Sequence, residues 1–133
     1  MIDIENEIFT TIATAVRTDF PGISVYGESH LVPESFPCLT IQEIDNYTDI
    51  DSIDSGSFEN VASVTYELNV YTNDTSGKKA KAKAILGVAD GILINKGFSR
   101  TSSEPISLDD STKCRIVARY RAKVSRDKTI YRR

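Results

Sequence analysis

The sequence predicts an α+β domain in which a mostly antiparallel β-sheet carries two α-helices packed on one face, in the order α-β-β-β-α-β-β. Two segments repeat apolar residues at the spacing of amphipathic helices, and two others alternate apolar with polar residues as half-buried strands do. The chain of 133 residues, 40% of them hydrophobic, has the size and composition of one globular domain. We therefore expect a single domain over residues 1–125 and a basic C-terminal tail over residues 126–133.

The first helix is predicted over residues 3–19, where acidic residues in the first turn favour the helix dipole. Its apolar residues at spacings of three and four are Ile4, Ile8, Ile12 and Ala15 or Val16. Pro21 and Gly22 then end the helix. A short strand at residues 23–27, a loop with two prolines and a second strand at residues 38–44 follow.

Two further strands have a clear alternation of apolar and polar residues. The strand over residues 62–71 places on one face Ala62, Val64, Tyr66, Leu68 and Val70. The strand over residues 113–125 places on one face Cys114, Ile116, Ala118, Tyr120, Ala122 and Val124. The basic residues on its other face are Lys113, Arg115, Arg119, Arg121 and Lys123. We expect this other face of the sheet to meet solvent, a partner subunit or a ligand.

The second helix is predicted over residues 76–95 and begins with the lysine-rich run KKAKAK. Its expected apolar face is Ala84, Ile85, Val88, Ala89 and Ile92. The expected N-cap is Asp74, Thr75 or Ser76, and Gly97 is expected to end the helix. The helix dipole disfavours lysines in the first turns, and either an acidic partner or phosphate offsets this effect or salt screens it on a solvated face. A strand at residues 98–103 follows.

The segment at residues 45–60 is rich in Asp, Ser and Asn and is predicted to be a loop, longer than most connections in a compact domain. Such a loop is either mobile or ordered by a contact outside the monomer. We expect this loop and the C-terminal tail to become ordered only on assembly.

Charge is divided by position along the chain. Residues 1–77 contain fourteen acidic residues and one arginine, whereas residues 78–133 contain fifteen basic residues and five acids. The formal net charge of −3 therefore hides a division of −13 against +10. Such a division predicts either a polarised surface through which one copy binds the next, or charges scattered over a solvated surface.

The sequence contains no pattern that predicts catalysis or cofactor binding. His30 is the only histidine, which disfavours a transition-metal site, and the acidic run from Asp45 to Asp54 lacks the spacing of a calcium loop. No glycine motif for phosphates or dinucleotides and no G-x-S-x-G motif occurs. No apolar run approaches the roughly 18 residues that a bilayer span needs. We therefore predict a protein that is not an enzyme and has no cofactor, no metal site and no membrane partner.

Several segments together resemble the tail terminator (tail completion) proteins of long-tailed bacteriophages and prophages. The segments are an acidic N-terminal helix, a PG turn into ISVYGES, the strand CLTIQEID before a long acidic loop, VTYELNVYTND directly followed by GKKAKAKAILGVADGIL, and CRIVARYRAKVS with a basic tail. The likeness covers nearly the whole chain and rests on element order and segment style. It implies a structural virion protein that forms a ring, typically a hexamer. Such a ring caps the tail tube, ends its polymerisation and provides the head–tail joining surface.

The resemblance also implies the partners and the location of the protein. The partners are other copies of the chain, the tail tube protein and the head–tail connector protein, while DNA passes through the ring only as cargo. The implied location is the virion, with assembly in the host cytoplasm. Three alternatives remain open at this point: a head–tail joining protein of the same virion, a small nucleic-acid-binding module that uses the basic strand face, and an unrelated cytosolic adaptor.

A closed ring requires two different surfaces on each subunit, which meet head to tail. We expect the acidic loop of one copy to dock on the basic strand face of the next. The candidate interface residues are Asp49, Asp51, Asp54, Lys78, Lys79, Arg115, Arg119, Arg121, Lys123 and Arg126.

Overall fold

The computed structural model describes residues 1–28, 35–48, 61–106 and 111–131. The elements lie in the predicted order, with one more short strand at the end, and the α+β prediction is confirmed. They are α1 (Glu5–Asp19), β1 (Ser24–Tyr26), β2 (Cys38–Thr48), β3 (Val61–Thr72), α2 (Lys78–Lys96), β4 (Ser99–Ile106), β5 (Cys114–Ser125) and β6 (Ile130–Tyr131). The candidate residues Asp49, Asp51 and Asp54, and also His30, lie outside the described residues.

The strands form one six-stranded sheet with the order β1-β2-β3-β5-β4, and β6 pairs with the end of β5. All pairings are antiparallel except that of β1 with β2. The central pair, β3 and β5, is in register from Val61 opposite Ser125 to Thr72 opposite Cys114. Because the order in space nearly follows the order in the chain, β1 and β2 lie at one end of the sheet and β5 and β4 at the other, while the turn after β5 reaches α1.

Both helices pack on one face of the sheet, which we call the first face. The alternation predicted for β3 is confirmed there, because its five apolar side chains on that face are buried. The buried residues that β5 contributes are Ile116, Ala118, Tyr120, Ala122 and Val124. Helix α1 contributes Ile8, Ile12, Ala13 and Val16. Full burial of one large apolar side chain contributes about 1.5–3 kcal/mol, so this face provides most of the stability of the fold.

Helix α2 buries Ile85 and Ala89 of the predicted face, but the rest of its buried stripe differs from the prediction. Ala84 is exposed, and Val88 and Ile92 are only half-buried. The buried residues of α2 are Ala82, Ile85, Leu86, Ala89 and Leu93. Apolar residues occur all round this helix, so its own pattern does not select one stripe. The position of the helix over β3, β4 and β5 selects the stripe instead.

The ends of α2 depend on two glycines. The N-cap is Gly77, at φ 75°, rather than Asp74, Thr75 or Ser76, and no side chain caps the helix. Gly97 ends the helix as predicted, at φ 113°, with its N–H donating to the Ile94 carbonyl. Both conformations lie in the left-handed region, which glycine adopts without steric cost.

Neither described helix is apolar over a sufficient length to cross a lipid bilayer.

Two segments that the sequence predicts to be irregular form strands in part. Strand β2 continues through residues 45–48, after a bulge between Glu43 and Asp45. Residues 126–131 form a turn and β6 instead of a featureless tail. Ile130 packs against the core, and Nζ of Lys128 in the turn lies 2.7 Å from Oε1 of Glu7. This part of the tail is therefore ordered within the single chain.

Candidate subunit interface

The face of the sheet opposite the helices, which we call the second face, is built from alternate residues of β2, β3 and β5. The register places on it the β3 and β5 residues Ser63, Thr65, Glu67, Asn69, Tyr71, Arg115, Val117, Arg119, Arg121 and Lys123. Tyr47 of β2 lies opposite Ser63 on the same face. Cross-strand neighbours in an antiparallel pair share a face, so each arginine of β5 stands beside a polar or aromatic residue of β3.

Arg115 binds two groups on the second face. Its Nε and Nη2 donate to Oδ1 of Asn69 at 3.0 and 2.8 Å, and its guanidinium lies over the Tyr71 ring, 5.5 Å from the centroid. Asn69 and Tyr71 are both buried, so Arg115 satisfies an amide oxygen that would otherwise be costly to bury. Burial raises the pKa of Tyr71, and the positive charge of Arg115 opposes that increase.

Arg119 forms an ion pair with Glu67 across the strands, with Nε 3.0 Å from Oε2. The same carboxylate accepts a hydrogen bond from Asn69 Nδ2 at 3.2 Å. Glu67 therefore connects Arg119 to the pair that Asn69 forms with Arg115. The Arg119 side chain is 53% exposed, and an exposed ion pair contributes only about 0–1 kcal/mol. This network orients the side chains more than it stabilises the fold.

Arg121 contacts Tyr47 on the same face. Its Nη2 donates a hydrogen bond to the Tyr47 hydroxyl, and its guanidinium lies over the ring, 5.8 Å from the centroid. Sequence reasoning missed Tyr47, which is 42% exposed, because it belongs to an Asp- and Asn-rich segment that is typical of a loop. The only signal was the strand preference of Tyr47 and Thr48 themselves.

The other candidate residues are spread over the molecule. Lys123 is half-buried on the second face, opposite Ser63. Lys78 and Lys79 begin α2 and therefore lie in the helical layer on the first face. Arg126 is exposed in the turn after β5. The structure thus brings four of the predicted basic residues together, and the docking of an acidic loop on them stays a prediction.

The two ends of the sheet carry opposite charge. Residues 1–28 and 35–48, which form α1, β1 and β2, contain seven acidic residues and one arginine. Residues 74–106 and 111–131, which form α2, β4, β5 and β6, contain thirteen basic and four acidic residues. The strand order therefore converts the charge division along the chain into a charge division in space.

At the acidic end, carboxylate oxygens of Asp3, Glu5 and Glu43 all lie within 4.8 Å of one another. Glu43 accepts hydrogen bonds from the Tyr66 hydroxyl at 3.0 Å and from Asn46 Nδ2 at 3.4 Å. Burial raises the pKa of Glu43, and the two neighbouring carboxylates raise it further. Among the described residues this is the cluster whose oxygens could accept a cation, and the absence of a metal or cofactor site stays a prediction.

At the basic end, Asp90 of α2 joins the helix to two strands. Its Oδ1 accepts hydrogen bonds from Arg100 Nη1 of β4 at 2.8 Å and from the Tyr120 hydroxyl of β5 at 2.6 Å. Tyr120 is fully buried, and burial together with the bond to Asp90 raises its pKa. The hydrogen bond to Asp90 also raises the pKa of Arg100. This contact fixes α2 against the β4 edge of the sheet.

No protein-family model matches the chain, and no curated protein matches it. Its function is therefore inferred from the geometry above and from the resemblance of its segments. The side-chain contacts described above join arginines with carboxylates, amides and hydroxyls. Contacts of this kind position side chains and distribute charge.

Proposed function

We propose that this chain is a non-enzymatic virion protein of a long-tailed bacteriophage or prophage. Copies of the chain form a closed ring, with six subunits as in the family that the sequence resembles. The ring caps the tail tube, ends its polymerisation and provides the surface that meets the head–tail connector. DNA passes through the ring. The protein assembles in the host cytoplasm and remains in the virion.

The observation that carries this proposal is the opposite charge of the two ends of the sheet. A closed ring needs a heterologous contact, in which two different surfaces of the subunit meet head to tail. A symmetric dimer formed through either end would bring like charges together. Opposite charges instead favour the head-to-tail arrangement and increase the rate at which copies meet.

The sheet between the two ends also supports the proposal. Strands β3 and β5 pair along their whole length, and the arginines of β5 connect them through Asn69, Glu67 and, on β2, Tyr47. A ring closes only if the two contact surfaces keep a constant angle, because a different rotation gives an open helix. A sheet tied in this way holds two distant surfaces in a fixed relation.

Native mass spectrometry and light scattering over a series of protein concentrations test the proposal, with negative-stain imaging of the same samples. We expect annular particles of one stoichiometry to form without nucleic acid, and to dissociate as salt is raised. Binding of these particles to the end of purified tail tubes distinguishes a terminator from a head–tail joining ring, which would bind the connector instead. A chain that stays monomeric at every concentration contradicts the proposal.

A nucleic-acid-binding module is the second candidate, and one observation favours it. Tyr47 is exposed and lies beside Arg121 on the second face, and an aromatic ring next to a cation can stack with the bases of single strands. The guanidinium groups, however, already have partners within the chain. Binding of short DNA that falls steeply with salt, and that is lost in Tyr47→Ala, would support this function over the first.

A further inference from the structure

Two clefts lie at opposite ends of the sheet. The acidic cleft, of about 520 Å³, lies between α1 and β1, and its lining includes Asp3, Glu5, Phe9, Tyr26 and Glu28. The basic groove, of about 360 Å³, lies between α2 and β4, and its lining includes Lys79, Lys83, Leu86, Arg100 and Ile116. Because β1 and β4 are the two outer strands of the main sheet order, the clefts lie at opposite edges of the sheet.

The acidic cleft is suited to lysine or arginine side chains from another molecule. No lysine or arginine is among its described lining residues. Its acidic groups lie beside the half-buried carboxylate of Glu43, so like charges crowd there, and the nearby cation Lys128 is paired with Glu7. Phe9 and Tyr26 add aromatic surface to the cleft. Aromatic surface next to carboxylates accommodates both the aliphatic stem and the charged head of a lysine.

The basic groove carries an excess of positive charge. Lys79 and Lys83 are both exposed and stand one helical turn apart. The first turn of α2 contains no acidic residue and has no side-chain cap, so the positive end of the helix dipole adds to the lysines. Of the two acids in the lining, Asp90 is already paired with Arg100, which leaves Glu104. External carboxylates would reduce this unfavourable accumulation of charge.

We propose that the basic groove of one copy binds the acidic cleft of the next copy, through ion pairs of Lys79 and Lys83 with Asp3 and Glu28. This contact rests on the ring function proposed above and gives it a specific interface. The two surfaces differ and lie at opposite ends of one sheet, so the contact repeats head to tail until the ring closes. The second face is left for other contacts, since its arginines bind partners within their own chain.

Charge reversal tests the two surfaces separately. Lys79→Glu with Lys83→Glu makes the groove acidic, and Asp3→Lys with Glu28→Lys makes the cleft basic. We expect each variant alone to need at least about tenfold more protein for half-association, because like charges then face each other. In an equimolar mixture every contact again joins opposite charges, provided that the two variants alternate. We therefore expect the mixture to recover association.

Two further variants serve as controls. Arg17→Glu with Lys96→Glu changes the net charge as much as the groove variant does, at exposed positions outside both clefts, and is expected to associate as the wild type does. Asp3 accepts a hydrogen bond from the backbone of the first turn, so its replacement could unfold α1. Asn6→Lys with Glu28→Lys leaves that hydrogen bond in place and is the second cleft variant. Circular dichroism verifies the folding of each.

Sedimentation velocity of the folded variants, with negative-stain imaging of the wild type, separates the contact from the ring function. If the wild type forms rings and a reversed variant associates equally well, or the mixture fails to recover, the contact is wrong and the ring function stands. If the wild type forms only open chains that the reversals dissociate, the contact stands and the ring function is wrong. A wild type that stays monomeric overturns both.

Discussion

The acidic end of the sheet crowds like charges together, whereas the basic end pairs most of its cations within the chain. Three carboxylates cluster at the acidic end, those of Asp3, Glu5 and Glu43, and the nearby cation Lys128 is paired with Glu7. At the basic end Arg100 is paired with Asp90, and Lys81 Nζ lies 3.4 Å from Asp74 Oδ2. In the contact proposed above, a second copy completes the acidic end, and the basic end presents the exposed lysines Lys79 and Lys83.

The largest expected effect on stability concerns Asp90, which joins α2 to β4 and β5 at the basic end. Asp90→Ala should lower the free energy of unfolding by about 1–3 kcal/mol, because the buried Tyr120 hydroxyl loses its acceptor. Tyr120→Phe removes the hydroxyl itself and should cost only about 0.5–1.5 kcal/mol. Urea denaturation of both variants measures the difference. Equal losses would show that the hydroxyl is satisfied elsewhere and that Asp90 is not the joint between α2 and β5.

Two arginines of β5, Arg115 and Arg119, differ in how exposed their contacts are. Arg115→Ala removes both donors from the buried Oδ1 of Asn69 and should cost about 1–3 kcal/mol. Arg119→Ala breaks a more exposed pair with Glu67 and should cost at most about 1 kcal/mol. The same denaturation measurement ranks the two. A larger loss for Arg119→Ala would contradict the distinction between buried and exposed partners on the second face.

The crowding at the acidic end predicts an unusual dependence of stability on pH. Because the pKa of Glu43 is raised in the folded state, the folded chain holds that proton to a higher pH than the unfolded chain does. Wild-type stability should therefore fall, relative to Glu43→Gln, as pH rises from below the ordinary carboxyl range through the raised pKa. At pH 7 Glu43→Gln should be the more stable protein. Thermal melts of both proteins from pH 3 to about 7 measure the effect, and an unchanged difference would contradict the burial of this carboxylate.

The smallest expected effect on stability belongs to the exposed lysines. Lys79→Glu with Lys83→Glu should change the free energy of unfolding by no more than about 0.5 kcal/mol per site, since neither side chain contributes to the core. Chemical denaturation at protein concentrations too low for association measures this change in the free energy of unfolding. A large loss of stability would mean that the lysines stabilise α2 itself. Weaker association of this variant would then no longer support the proposed contact.

Much of the fold could be predicted because the relevant signals are local. Alternation in β3 and β5 predicts both strands and their buried faces, and Gly97 predicts the end of α2. The buried stripe of α2 could not be predicted, because apolar residues surround that helix and only its position on the sheet distinguishes them. Strand β6 was missed because it contains only two residues, Ile130 and Tyr131, and such a short strand shows no alternation of apolar and polar residues.

The contacts of the second face were harder to predict, because they depend on the register of the strands. The sequence showed that Arg115 and Arg119 share a face, but not that β3 would place Asn69 and Glu67 beside them. The long-range charge division, in contrast, was visible at once. The order of strands in the sheet was required to show that this division becomes two opposite ends.

Native mass spectrometry of a mixture of the two charge-reversed variants is the decisive test of the contact between cleft and groove, because the variants differ in mass. We expect oligomers that contain the two variants in equal numbers, in a mixture whose separate components remain monomeric at the same concentration. Oligomers of one variant alone, or a mixture that stays monomeric while the wild type assembles, would contradict a contact between the acidic cleft and the basic groove.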